Sequence, residues 1–398
     1  MPGIPRATDS QRKIRLALVF GGQSAEHEVS LSSARSVVGA VDPARYEVIP
    51  IGISVGGQWL LGPSAGDLLL ALAPSSTKPA EQAEHGEQGE RTDWDGGNTV
   101  TLEDGTATAR QVALALSPTA QDTRRNGTGD SDPPIDVVFP LLHGPRGEDG
   151  TVQGLFELAG VPYVGAGIAA SAVGMDKVLM KNLFQQAGLP VVPFVAIPRT
   201  LWQADPATVA AQIEATVGYP CFAKPANMGS SIGISRVEGP RELAAALDLA
   251  AGYDRRLLVE QAISRPRELE CGVLGNDVPE VSVVGEVRVT DDASFYDYDA
   301  KYQPGGSGLV IPADVDPAIA GRIRDLARRA FLAIDGAGMA RVDFFLSGNG
   351  QLYLNEINTI PGFTPTSMFP LLWAASGVPY PALIDLLVDL ALERHASR

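Results

Sequence analysis

The chain has 398 residues, too many for one ordinary hydrophobic core, so two or three domains are expected. An apolar fraction of 45% is that of a globular protein, and a net charge of −16 argues against nucleic acid or an anionic membrane as the main partner, since both need a basic surface. The polar start of the chain has no apolar signal core, no run approaches the ~20 apolar residues that span a bilayer, and Cys221 and Cys271 stand in no metal-like spacing, so reduced, buried thiols and a cytoplasmic location are expected.

In chain order, residues 16–20 form a short apolar run ending at Gly21-Gly22 and read as a buried parallel strand. A helix follows, with Val29, Ala34, Val37 and Val38 near helical spacing, and 46–53 is the next strand. Residues 74–97 and 117–134 are rich in small and polar residues and read as surface insertions or mobile loops. Residues 135–139 resume the sheet, which leads to His143-Gly144. Alternation of this kind predicts a parallel α/β layer, with ligands gathering at the carboxyl ends of the strands, where the Gly21-Gly22 and His143 loops lie. From Met175 the texture becomes α+β. Helices are expected at 177–187, 206–216 and near 241–250, and strands at 191–197, 221–224, 234–237 and 256–260. Antiparallel strands, a helix over 317–334, a hairpin and a terminal helix from Tyr380 complete the chain.

The hairpin carries the densest chemistry. Asn349-Gly350 between two β-rich runs predicts a two-residue type I′ turn. Counting back from it, Asp343 faces Glu356 and Arg341 faces Asn358, all on one face, while Val342, Phe344, Leu346, Tyr353 and Ile357 take the core face. Like charges directly opposite are destabilising, and a divalent cation between them would reverse that sign. Two carboxylates and an amide oxygen are hard donors that suit Mg²⁺, which usually also takes phosphate oxygens; a merely solvated polar face is the competing reading. Upstream, Lys224 precedes the turn Gly229-Ser230-Ser231-Ile232-Gly233, whose backbone N–H groups can form an anion nest, or else a plain tight turn. It is not a Walker A loop, and no G-x-G-x-x-G follows the first strand.

Six blocks in order resemble the D-alanine–D-alanine ligase family of ATP-grasp enzymes: Gly21 to Ser30; His143-Gly144 with Gly147-Glu148-Asp149-Gly150; Met175-Asp176-Lys177; Lys224-Pro225 with Gly229-Ser230-Ser231; Tyr296-Asp297-Tyr298 with Lys301-Tyr302; and Asn355-Glu356 with Asn358-Thr359 and Pro361-Gly362. The resemblance covers nearly the whole chain apart from the two insertions. It implies an ATP-grasp fold of α/β and α+β parts: an N-terminal α/β substrate domain over 13–165, a central domain over 166–263 and a C-terminal catalytic domain over 264–398. It implies ATP-dependent joining of two D-alanines through an acyl phosphate, for peptidoglycan precursors, with two Mg²⁺ ions for which Mn²⁺ can substitute, and a homodimer.

The same resemblance implies the roles of residues. Asp343, Glu356 and Asn358 would hold the metal ions. Lys177 and Lys224 would hold the α- and β-phosphates, with Ser231 in the loop between, and Lys301 would reach the γ-phosphate. Glu260, Gln261, Ile263 and Phe295 would surround adenine. The family spaces its two nucleotide acids seven apart; here 264–267 adds one residue, so Glu268 or Glu270 would meet the ribose. Glu26 would receive the first D-alanine's ammonium, oriented by Ser230 and Tyr302, or would simply be an acid at a helix start. Ser367 would hold the second carboxylate, His143 would sit beside the substrates, and Arg341 with the Gly362 N–H would stabilise developing negative charge. Residues 295–308 would form a lid that excludes water. A D-alanine–D-lactate ligase would carry a different lid residue, typically histidine, at Tyr302. Another ATP-grasp amino-acid ligase would lose the Glu26 and Tyr302 pair, and a non-catalytic nucleotide-binding regulator would be expected to lose Arg341 or a metal acid.

Overall fold

In the computed structural model the described residues are 12–70, 106–107, 116, 134–229, 231–289 and 307–398. The expected insertion at 74–97, all but the last residue of that at 117–134, and all but the last two residues of the lid at 295–308 lie outside them, as do Ser230, Phe295, Lys301 and Tyr302.

The first sheet is built from β1 (Ile14–Gly21), β2 (Tyr46–Ile53), β3 (Trp59–Leu61), β4 (Thr106–Ala107) and β5 (Val137–Leu141), in the order β4-β3-β2-β1-β5. The pairs β1–β2 and β1–β5 are parallel, as the apolar runs imply, and β3 and β4 add an antiparallel edge. Both faces of β1 are buried. Leu16, Leu18 and Phe20 share a core with α1 (His27–Val38), and Ala17 and Val19 lie in the core reached by α3 (Thr151–Ala159); α2 spans Pro63–Leu70. This is why the strand reads as a continuous apolar run.

The second sheet, β6-β9-β7-β8, is antiparallel, from β6 (Phe194–Pro198), β7 (Cys221–Pro225), β8 (Ser235–Val237) and β9 (Arg256–Gln261). It shares a core of its own with α6 (Arg199–Ala204), α7 (Pro206–Thr216) and α8 (Pro240–Tyr253). Between the first two sheets run α4 (Ile168–Met175) and α5 (Lys177–Gln186). The third sheet has the order β12-β11-β10-β13-β14: β10 (Arg267–Gly275), β11 (Glu280–Val289), β12 (Ser307–Val310), β13 (Gly338–Leu346) and β14 (Leu352–Asn358). One face packs on α4, α5 and α9 (Pro317–Ala333). The helices α10 (Met368–Ala375) and α11 (Tyr380–Ala396) join Leu274 and Met339 of this sheet to Leu16 and Phe139 of the first in one core. Cys221 and Cys271 are free and buried.

The β13–β14 hairpin pairs Asp343 with Glu356 and Arg341 with Asn358, as expected, but reaches that register by another route. The turn is not two residues long. Ser347 N–H donates to Gln351 O at 2.9 Å, leaving a three-residue loop in which Gly350 alone has positive φ, at +82°. That is the next most common hairpin geometry, a turn closed by a left-handed glycine. The extra residue is offset by a β-bulge: Phe344 pairs with Leu354 but Asp343 with Glu356, so Asn355 has no cross-strand partner. The bulge shifts the alternation by one. Leu352 and Leu354 therefore take the core face, and Tyr353, expected there, turns outward and donates its O–H to Gln351 at 2.8 Å.

Candidate active site

A cavity of about 1030 Å³ lies where the three sheets meet. Every predicted site residue that the structure describes lines it: Glu26, His143, Lys177, Lys224, Ser231, Glu260, Gln261, Ile263, Glu268, Arg341, Asp343, Glu356, Asn358, Gly362 and Ser367.

The first sheet supplies one wall. β1 ends at Gly21, whose φ of +91° and close approach to Ile53 O leave no room for a β-carbon: one built there would lie 2.1 Å from that oxygen. Glu26 is the N-cap of α1 but makes no side-chain cap bond, so helix capping does not account for its carboxylate. A β-carbon built on Gly229 would lie 3.7 Å from Glu26 Oε2, which sets the glycine-rich loop directly against this acid. His143, beyond β5, donates Nδ1–H to Ile360 O at 3.1 Å. Its Nε2 is buried with no hydrogen-bond partner among the described residues. Burial pulls the imidazole below its usual range, against the opposing charge of Glu26, so neutral His143 presents an acceptor to the cavity. Glu148 accepts from Gly144 N–H at 2.8 Å. Burial, with Glu26 adding to it, raises Glu148 to about 8, so this acid carries a proton at neutral pH.

The second sheet and α5 supply the cationic wall. Asp176 caps α5, accepting from Val178 and Leu179 N–H at 3.1 and 3.0 Å, from Asn227 Nδ2 at 3.0 Å, and from Arg256. This ties the helix to the residues after β7 and aims Lys177, whose Nζ donates to Met228 O at 2.7 Å. Lys224 leaves β7 and pairs with buried Glu260 of β9. The loop closes with Ser231 at φ +60° and an Ile232 N–H bond to Gly229 O at 3.2 Å.

The third sheet supplies the acids. Arg341 donates to Asp343 through Nε and Nη2 at 2.8 and 2.7 Å, and its Nε lies 2.9 Å from Glu270. Glu270, paired across strands with Asp343, is thereby engaged by Arg341; it and half-buried Glu268 both line the cavity. In the loop between Glu260 and Glu268, Arg265 has a positive φ of +44°. Asn358 Oδ1 accepts from Ile360 N–H at 3.2 Å. Ser367 packs under Gly362 and accepts from Thr364 N–H at 3.1 Å. Among the described residues no three His, Cys, Asp or Glu side chains cluster as a metal site. Two facing carboxylates and an amide oxygen make a partial shell of hard donors, which fits Mg²⁺ completed by phosphate oxygens and water. Lys181 was not anticipated, Glu148 was noted only within its motif, and Glu270 was expected only as the alternative ribose acid; for Lys181 the signal was its place one helical turn after Lys177.

The chain matches the models of the D-ala D-ala ligase N-terminus over residues 15–166 and C-terminus over 183–389. It belongs to the D-alanine–D-alanine ligase family. It is 47% identical over 386 residues to a D-alanine–D-alanine ligase of Geobacillus kaustophilus, covering 97% of this chain and 96% of the relative. It is also 47% identical over 380 residues to one of Bacillus velezensis, covering 96% and 98%. Among solved structures it resembles the D-alanine–D-alanine ligase of Coxiella burnetii (TM-score 0.73, 32% identity, 97% and 95% covered) and the VanG D-Ala:D-Ser ligase of Enterococcus faecalis (TM-score 0.76, 32% identity, 96% and 100% covered). The fold is therefore the α/β and α+β ATP-grasp fold, and the chain is a ligase of the ATP-dependent, divalent-metal-using kind.

Proposed function

We propose that this protein joins two D-alanines to D-alanyl-D-alanine for peptidoglycan precursors, converting ATP to ADP and phosphate. The observation that carries the reading is the single cavity in which Glu26, the lysines Lys177 and Lys224, and the Arg341–Asp343–Glu356–Asn358 hairpin converge. Glu26 receives the ammonium of the first D-alanine, and the carboxylate of that substrate attacks the γ-phosphorus as the bond to ADP breaks. The amine of the second D-alanine then attacks the acyl carbon and phosphate leaves. Phosphoryl transfer depends mainly on positioning and charge neutralisation, so the chain's work is electrostatic. Lys177 and Lys224 hold the α- and β-phosphates at the loop of Ser231. Glu260, Gln261 and Ile263 meet adenine, and Glu268 rather than Glu270 meets the ribose, because Glu270 already serves Arg341. Arg341 and the Gly362 N–H stabilise charge on the transferring phosphoryl and the tetrahedral oxyanion. Ser367 holds the second carboxylate, and neutral His143 lies beside the substrates. Asp343, Glu356 and Asn358 hold two Mg²⁺, or Mn²⁺ in their place, which neutralise phosphate charge. Ser230, Tyr302, Lys301 and Phe295 complete the site as the family resemblance implies.

The enzyme works as a cytoplasmic homodimer on small molecules. No single described helix is long and apolar enough to cross a membrane, ATP is a cytoplasmic substrate, and an acidic chain offers nucleic acid little. The test is phosphate release from ATP and Mg²⁺ with D-alanine, L-alanine, D-serine or D-lactate, products being identified by mass. Release that requires D-alanine and yields the dipeptide is expected. A product containing D-serine or D-lactate in preference would move the protein to a neighbouring specificity.

A further inference from the structure

Lys181 lies outside every role assigned above. It sits one turn beyond Lys177 on α5 and is only 1% exposed. Burying an ammonium is costly unless it is paired, and this one is doubly engaged. Its Nζ lies 3.1 Å from Glu260 Oε2 and donates to Asn355 O at 3.2 Å. Asn355 is the bulge residue, which has no cross-strand partner on β13, so the lysine supplies a donor where the ladder supplies none. The other Glu260 oxygen, Oε1, is held by Lys224. The two lysines differ in access: Lys224 and Glu260 line the cavity, whereas Lys181 approaches Glu260 from behind.

We propose that Lys181 is a positioning residue: it is the permanent counter-ion of Glu260, and it lets Lys224 leave that carboxylate for a phosphate while the exocyclic amine of the nucleotide base takes the vacated oxygen. The inference rests on the nucleotide site proposed above. Its logic is charge balance. Burial alone would raise Glu260; the charges of Lys181 and Lys224 outweigh it and hold the carboxyl at about 2. Once Lys224 moves to a phosphate, Lys181 alone keeps Glu260 ionised and able only to accept, which selects a base that donates. The same ammonium pins the bulge that sets Glu356 opposite Asp343, so base recognition and the acidic hairpin share one buried cation.

The test compares ATP with inosine triphosphate, whose C6 carbonyl accepts instead of donating, in wild type, Lys181→Met, Glu260→Gln and the double variant. Lys181→Met should lower the ATP-over-inosine-triphosphate preference in kcat/KM by at least about tenfold, the worth of one hydrogen bond to a charged acceptor, chiefly through KM for nucleotide and with little change in KM for D-alanine. If Lys181 acts through Glu260, the double variant should be no worse in this ratio than Glu260→Gln alone. The double variant removes both members of the buried pair and so gives a folded comparison should Lys181→Met be unstable. A preference unchanged in Lys181→Met, or losses that multiply in the double variant, would overturn the inference. Failure of the wild type to make product from ATP would instead overturn the reading of the site.

Discussion

Arg341 and Asp343, two residues apart on one strand, are joined by a forked pair of hydrogen bonds of 2.8 and 2.7 Å. The contact offsets the repulsion that Asp343 would otherwise feel from Glu356. It also fixes the guanidinium within the cavity. Arg341→Lys keeps the charge and loses the fork. We expect kcat to fall roughly 10²-fold or more, as when one donor to a developing oxyanion is removed, with a smaller change in KM for ATP. Steady-state phosphate release decides it, and near-full kcat in the lysine variant would show that the fork is dispensable.

Asp343→Asn and Glu356→Gln should abolish turnover while leaving the fold intact. Because Glu356 faces Asp343 directly, its neutralisation also removes a like-charge contact, so Glu356→Gln should melt no lower than wild type in chelator. The wild type should gain melting temperature on adding Mg²⁺ with nucleotide, by linkage, and the variants should not. Either variant retaining full Mg²⁺-dependent activity would sink the metal assignment.

Glu148 gives a pH signature. Its carboxyl titrates near 8 in the fold because of burial and the nearby Glu26, against about 4.3 in an unfolded chain. Native-state protonation therefore contributes stability that is fully present below the unfolded value and is lost as pH rises through the folded one. Glu148→Gln, neutral throughout, should differ little from wild type near the acid end and become relatively more stable above about pH 8. Denaturant midpoints at both ends of that window check the sign, and a difference independent of pH would mean that Glu148 is ionised in the native state.

Much of this was legible in the sequence because each signal was local. Residues 16–20 announced a buried parallel strand through unbroken apolarity, and the helix at Pro206–Thr216 was framed by proline and a capping aspartate. The facing of Asp343 and Glu356 was also legible, yet for a partly wrong reason. A two-residue turn without a bulge and a three-residue turn with one place the same twelve residues between the two acids, so counting could not separate them. Leu352, Tyr353 and Leu354 tell them apart: the two leucines favour the bulged register, while the amphipathic ring of Tyr353 suits either face. Lys181 was missed because its partners, Glu260 and Asn355, lie far away in sequence and are brought together only by packing.

Gly21→Ala tests the first wall. The added methyl would meet Ile53 O at 2.1 Å and force an L residue to φ +91°. The expected loss exceeds ~1 kcal/mol and should appear as a lower melting temperature or insolubility, whereas Gly66→Ala, with nothing within 4 Å, should be tolerated. Equal melting temperatures for the two variants would contradict the close approach of β1 to β2.

The core shared by Leu16, Phe139, Met339 and Leu387 joins the beginning of the chain to its end, whereas the main core of the second sheet takes no residue from the other two, and the sheet's apolar contact with α5 runs through a small cluster that includes Leu258 and Val178. Cooperativity follows apolar contact rather than chain order, so the first and third sheets should unfold as one block and the second as another. Removal of α11 would then strip one face of β1 more than 350 residues upstream, and hydrogen exchange would show that early strand losing protection together with the last helix.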